Sequence, residues 1–195
     1  LIIVVLLILY FWYLDKNLRD KVRDTEHAPK NSGDLIAIIF TDIQGSTALW
    51  STAPLSMSTA LETHNKIVNE VIAHYNGYYV KSQGDSFFIA YDCTRDEEIE
   101  GCTGAQVAAK ICLEVQRRIL EATYPSAINK IYNAEDEFEL LDVVDDPNVV
   151  DNYPGDGAIW NGLRVRIGLA IGTGVMFSSP STVTGSLKNK RIGII

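Results

Sequence analysis

The sequence predicts an α+β fold, an α/β sandwich of ferredoxin-like βαββαβ order. Three features predict it: a short isoleucine-rich run ahead of a helical stretch, two strand-like runs around a glycine turn, and a second amphipathic helix followed by an alternating strand. Leu35 to Phe40 (LIAIIF) is short, apolar and bounded by polar residues, as a buried central strand is, and Thr41-Asp42 is expected to mark its end. Ser46 and Thr47 are placed to cap a helical turn, and Pro54 interrupts. Leu61, His64, Val68, Val71 and Tyr75 then recur at helical spacing until Asn76-Gly77 stops the helix. Tyr78 to Lys81 and Ser86 to Tyr91 flank Ser82-Gln83-Gly84-Asp85, a hairpin with glycine at the tight position. In the second helix Ala105, Ala108, Cys112, Val115, Ile119 and Ala122 form the inward stripe, while Glu114, Arg117, Arg118 and Glu121 face outward. Leu163, Val165, Ile167, Leu169 and Ile171 share one face of a fourth strand, with Arg164 and Arg166 on the other.

The chain has 195 residues, 47% of them apolar, enough for a core of ordinary size with appendages. Residues 1–14 read as the end of a transmembrane helix. The run closes on Tyr10, Phe11, Trp12 and Tyr13 and is followed by Lys16, Arg19, Lys21 and Arg23, the pattern of an interface and its cytoplasmic flank. By itself this run is too short for a bilayer core of about 30 Å, and it starts at Leu1 rather than Met, so a start point upstream is expected. These features predict a single-pass protein, in the plasma membrane, whose remainder faces the cytosol. Residues 15–34 form a charged juxtamembrane linker ending in Ala28-Pro29-Lys30-Asn31-Ser32-Gly33, and residues 35–195 form the globular domain.

The net charge of −8 comes from one place. Residues 123–157 hold nine Asp and Glu against Lys130, and elsewhere sixteen acids meet sixteen bases, so no basic face exists for nucleic acid. With little periodicity and Pro125, Pro147 and Pro154, that stretch reads as an insertion outside the core. Cys93, Cys102 and Cys112 are odd in number and lack Cys-x-x-Cys spacing, which suits buried thiols in a reducing compartment. His27, His64 and His74 form no metal set and read as linker or helix-surface residues.

In this strand order the third strand lies antiparallel beside the first, so Asp42 and Asp85 are expected at one sheet edge. Two carboxylates with no His or Cys nearby suit magnesium, which keeps waters and takes further ligands from substrate phosphates. The loop Ile43-Gln44-Gly45-Ser46-Thr47 enters a helix there, and Gly45 lets a phosphate approach the main chain. Taken singly, these are a strand-end turn, a cap and a hairpin; their joint placement points to a nucleoside triphosphate.

These residues resemble a known family. Residues 39–50 (IFTDIQGSTALW), 80–87 (VKSQGDSF) and 160–168 (WNGLRVRIG) are similar to signature segments of class III nucleotidyl cyclases, in particular the receptor-type adenylate cyclases of trypanosomatid parasites, which carry a similar acidic insertion. The resemblance covers roughly residues 37–172. It implies that Asp42 and Asp85 bind two magnesium ions, with manganese as a substitute, and that the Ile43 carbonyl also contacts a metal. It further implies that Gln44, Gly45, Ser46 and Thr47 hold phosphate and that Lys81 reads adenine. The implied reaction is attack of the ribose 3′-oxygen on the α-phosphorus of ATP, giving cyclic AMP and pyrophosphate by two-metal catalysis. The implied partner is a second cyclase domain, arranged head to tail. Past Gly174 the chain departs from the family pattern: no Asp or Glu follows Asp156, and Asn189 and Arg191 are two apart where the family's Asn and Arg are four apart. The expectation is therefore a C-terminally incomplete domain with very weak or no activity as a homodimer. The alternative is a catalytically silent module that pairs with an active subunit or senses nucleotide.

Overall fold

A computed structural model describes residues 26–134, 137–151, 160–177 and 191–194 of the chain. The apolar run and basic flank before residue 26, the end of the acidic stretch and Asn189 lie outside them. Among the described residues no helix is long and apolar enough to cross a membrane.

The strands are β1 (Leu35–Ile43), β2 (Tyr78–Gln83), β3 (Ser86–Asp92), β4 (Tyr124–Pro125), β5 (Val150–Asp151), β6 (Val165–Phe177) and β7 (Arg191–Ile194). The helices are α1 (Ser46–Thr52), α2 (Pro54–His74), α3 (Ala105–Glu121), α4 (Ser126–Asn133) and α5 (Glu137–Leu141). One antiparallel sheet has the order β2-β3-β1-β6-β7, and β4 pairs with β5 separately. This is the expected ferredoxin-like order, with β7 added at the edge beyond it. The central strand runs through Ile43, past its expected end, because β6 pairs with it in register from Leu35↔Thr173 to Ile43↔Val165. Pairing even reaches into the linker, where Gly33 N–H donates to Gly174 and Gly174 N–H to Asp34.

Strand side chains alternate, so one face of β1 carries Ala37, Ile39, Thr41 and Ile43, all buried against the helices. In α2 the stripe Met57, Ala60, His64, Ile67, Val68, Val71 and Ile72 meets that face, and in α3 Val107, Ala108, Ile111, Val115 and Ile119 do so. The inward face of α3 is thus turned from the expected stripe: Cys112 is only half-buried, as are Cys93 and Cys102, so the thiols are not core residues. His64 is not on the surface either. It is fully buried, its ring edge-on to Phe87 at 5.6 Å, and burial pushes its pKa down, so it is the neutral form that packs there. His74 does lie on the surface, with Nε2 3.1 Å from Glu100 Oε1.

Leu163 and Val165 are buried as the alternation requires, but Leu169 and Ile171, on the same face, are 40% and 45% exposed. The helix layer stops short of them: Gln116 of α3 donates to the Val165 carbonyl, at the beginning of β6.

The acidic stretch is not wholly outside the core. Tyr124, Ala127 and Ile128 are fully buried, because β4 and the first turn of α4 pass under α2. Further on, Asp145 caps α2, accepting from Leu55 N–H at 2.9 Å and Ser56 N–H at 2.8 Å. The helix has Pro54 in its first turn and no cap from its own Ala53, so those donors depend on Asp145. Asp145→Ala is expected to cost about 1 kcal/mol in urea unfolding at neutral pH. Burial pushes the Asp145 carboxyl up, but its Ser56 and Leu55 donors bring it below its ordinary value. A depressed carboxyl stabilises above its unfolded pKa, so the difference between the two proteins is expected to fade as pH falls through the carboxylate range.

Candidate active site

The site is assembled where β1 ends and β3 begins. Thr41↔Phe87 is the last register pair of those strands, and the Thr41 hydroxyl, fully buried, accepts the Phe87 N–H at 3.1 Å. Asp42, the next residue, points to the opposite face. There Ser86 Oγ donates to Asp42 Oδ1 at 3.3 Å, and Arg166, its register partner on β6, donates from Nη2 to Oδ2. Asp85 immediately precedes Ser86 in the two-residue turn Gly84-Asp85, where Gly84 has φ +63°. Glycine in that conformation at the first turn position matches the right-handed twist of the flanking strands. The strand order thus brings Asp42 and Asp85 to one sheet edge. Asp85 Oδ2 is buried and, among the described residues, has no hydrogen-bond donor.

The loop between β1 and α1 follows. Gly45 has φ +69° and starts α1, whose Leu49 is buried beneath it. Ser46 and Thr47 lie inside the helix, and no side chain caps it, so the expected Ser/Thr cap is absent; Gly45 does the turning instead. Ile43 is buried at the end of β1. The Gln44 peptide groups are held from outside the loop, with N–H donating to Arg164 O at 2.8 Å and the carbonyl accepting from the Tyr132 hydroxyl at 2.6 Å.

Lys81 stands on β2 opposite Phe88, with Nζ 5.0 Å from that ring's centre, and Phe88 is opposite Phe40 on β1, their rings edge-on at 4.5 Å. Directly opposed residues share a sheet face and strand side chains alternate, so Lys81, Phe88, Phe40 and Asp42 all lie on the face that the helices leave open. A planar, partly apolar ligand carrying phosphates fits such a row.

Arg166, Ser86 and Tyr132 were not singled out from sequence. Arg166 reads there only as the polar alternate of a strand, and its pairing with Asp42 appears once register is known. Tyr132 sits in the acidic stretch, where no pattern marks it. The stretch at residues 160–162 has separate structural duties. Trp160 stacks on the Arg164 guanidinium at 3.9 Å, and Asn161, buried, donates to the Leu120 and Ala122 carbonyls that end α3. Asn129 Nδ2 donates to Asn161 Oδ1, and Asn129 Oδ1 accepts the Gly162 N–H at 2.7 Å, which joins α4 to the start of β6.

This strand order, with its helices on one face of the sheet, is that of the class III cyclases. The chain belongs to their family: residues 28–179 match the Adenylate and Guanylate cyclase catalytic domain. Among curated relatives, the chain is 34% identical over 156 residues to receptor-type adenylate cyclase B of Leishmania donovani, covering 77% of this chain and 11% of that protein. It is 35% identical over 156 residues to a receptor-type adenylate cyclase of Trypanosoma congolense, covering 77% of this chain and 19% of that one. The fold superposes on a solved adenylate cyclase of Trypanosoma brucei, described in its monomeric state, with a TM-score of 0.61 and 28% identity, covering 88% of this chain and 68% of that chain. The chain therefore spans less than a fifth of the two curated relatives' length.

Proposed function

We propose that this domain forms the metal- and phosphate-holding half of an adenylate cyclase site that converts ATP to cyclic AMP and pyrophosphate. The observation that carries this reading is the meeting of two acids, one at the end of β1 and one in the turn before β3, the second with a buried oxygen that no donor among the described residues satisfies. A buried, unpaired carboxylate oxygen is costly unless a cation meets it. Asp42, Asp85 and the Ile43 carbonyl form an all-oxygen set suited to magnesium, with manganese as a substitute. When bound, two such ions lower the pKa of the ribose hydroxyl and neutralise the triphosphate.

The chain's own residues do the rest. Gln44, Gly45, Ser46 and Thr47 offer main-chain N–H groups to phosphate oxygens at the turn into α1. Lys81 donates to a ring nitrogen of adenine on the open face. Until a cation arrives, Arg166 and Ser86 offset the charge of Asp42. No side-chain nucleophile is needed, because attacking and leaving oxygens both belong to ATP.

Lys81→Met is expected to weaken ATP binding about tenfold, the scale of one charge-assisted hydrogen bond, and to leave inorganic tripolyphosphate binding unchanged. Calorimetric titration with both ligands checks this; an equal loss for the two would remove Lys81 from base recognition.

In this reading a second cyclase domain, head to tail, supplies the remaining groups, and the segment before residue 26 anchors the domain on the cytoplasmic side of the plasma membrane. The test mixes the purified chain with an intact homologous cyclase domain and measures cyclic AMP formed from magnesium or manganese ATP. Activity above that of the homologue alone is expected. A mixture that binds ATP but gains no activity would favour the second reading, a catalytically silent partner or nucleotide sensor.

A further inference from the structure

The two peptides that flank Gln44 are held from outside the loop, one by Arg164 of the 160–168 segment and the other by Tyr132, which belongs to none of the three signature segments. On one side the Gln44 N–H is taken by the Arg164 carbonyl at 2.8 Å; on the other, the Gln44 carbonyl is taken by the Tyr132 hydroxyl at 2.6 Å. That hydroxyl also accepts the Arg164 N–H at 3.4 Å, so it links the beginning of β6 to the loop. The Tyr132 ring is itself fixed. The Arg164 guanidinium lies over it at 4.7 Å and over Trp160 at 3.9 Å, the two rings meet edge-on at 5.9 Å, and Arg164 Nη2 donates to the Tyr132 carbonyl at 3.4 Å. A Cβ on Gly45 would stand 3.9 Å from the ring, so Tyr132 also packs along the glycine.

A trans peptide is planar, and its C=O and N–H point in opposite directions. A hydroxyl that holds the Gln44 carbonyl therefore also sets the direction of the Gly45 N–H, away from Tyr132. The glycine makes this hold necessary, because the freedom that lets Gly45 adopt φ +69° also lets the adjoining peptide rotate at little cost. We propose that Tyr132, contributed by α4 from the acidic stretch, is a positioning residue that fixes the Gln44-Gly45 peptide so that its N–H is presented to a substrate phosphate. This rests on the nucleotide site proposed above and adds to it a role for the insertion. Tyr132 touches no reacting atom; it acts through the loop.

The test is Tyr132→Phe, which keeps the ring, the Arg164 stack and the contact with Gly45 and removes only the hydroxyl. Two titrations are compared in the full chain: manganese alone, followed by electron paramagnetic resonance, and inorganic tripolyphosphate with manganese present, followed by calorimetry. The expected result is tripolyphosphate binding weakened about tenfold, with manganese affinity and melting temperature unchanged. In nitrogen-proton NMR spectra the Gly45 amide is expected to shift or broaden, a change that a purely structural role elsewhere would not produce. Unchanged tripolyphosphate binding in the variant overturns the proposal, and so does a parallel loss of manganese, phosphate and thermal stability. If the unsubstituted chain binds neither ligand, the nucleotide site itself is wrong and the role of Tyr132 goes with it.

Discussion

Asp42→Ala is expected to abolish divalent-cation-dependent binding of ATP, lowering manganese affinity by more than about a hundredfold. Even residues that only orient metal ligands cost about 10–100-fold when changed, and a ligand itself carries more. Two groups that now converge on Asp42 would lose their acceptor, the Ser86 hydroxyl and the Arg166 guanidinium. The stranded positive charge of Arg166 would then repel the cation. This gives the experiment an internal check of opposite sign, since Arg166→Gln removes a cation from beside the carboxylate and is expected to raise manganese affinity in the absence of nucleotide. Because Asp42 is partly exposed on the open face of the sheet, neither change disturbs the helix-side core, and circular dichroism should be that of the unsubstituted chain. Manganese binding that survives Asp42→Ala would move the metal site elsewhere.

Gly162→Ala is the substitution with the largest expected effect on stability. Gly162 has φ +63°, and a Cβ there would stand 1.9 Å from Cδ2 of Tyr124, with two more ring atoms within 2.3 Å. Tyr124 cannot retreat, because it is fully buried. The left-handed backbone costs about 1 kcal/mol for a residue with a Cβ, and forcing an extra carbon into a packed interior costs about 1–3 more. A loss of roughly 2–4 kcal/mol in urea unfolding is expected. Gly168→Ala is the contrast: no atom lies within 4 Å of its Cβ position and its φ is ordinary, so little change is expected. If the two variants unfold at the same urea concentration, the packing of Tyr124 on Gly162 is not what holds this corner.

Much of this architecture could be read from residue order. The isoleucine run of β1, the hairpin at Gly84-Asp85 and the alternation of β6 are local patterns, and local pattern with chain order is enough to specify a ferredoxin-like sheet. The same order carries Asp42 to the edge where Asp85 stands in the turn before β3, so their placement together was legible although they are far apart in the chain. Misreadings arose where tertiary contact overrides local character. His64 is polar, yet α2 turns it against Phe87, and Tyr124 and Ile128 lie in an acidic stretch, yet they fill the core. Ser46 and Thr47 have the composition of a cap, but the left-handed Gly45 already makes the turn.

The sequence by itself determined the family of the chain, the strand order and the two acids, because these depend on residue types at short spacing and on a topology with few alternatives. Only the tertiary structure decided which groups hold Asp42 and the glycine loop in place. The pairing of Arg166 with Asp42 needs the β1–β6 register, and the Tyr132 hydroxyl reaches the Gln44 carbonyl across 88 residues of chain. Hydrogen bonds of that kind depend on distances of a few tenths of an ångström between remote segments, and no periodicity in either segment records them.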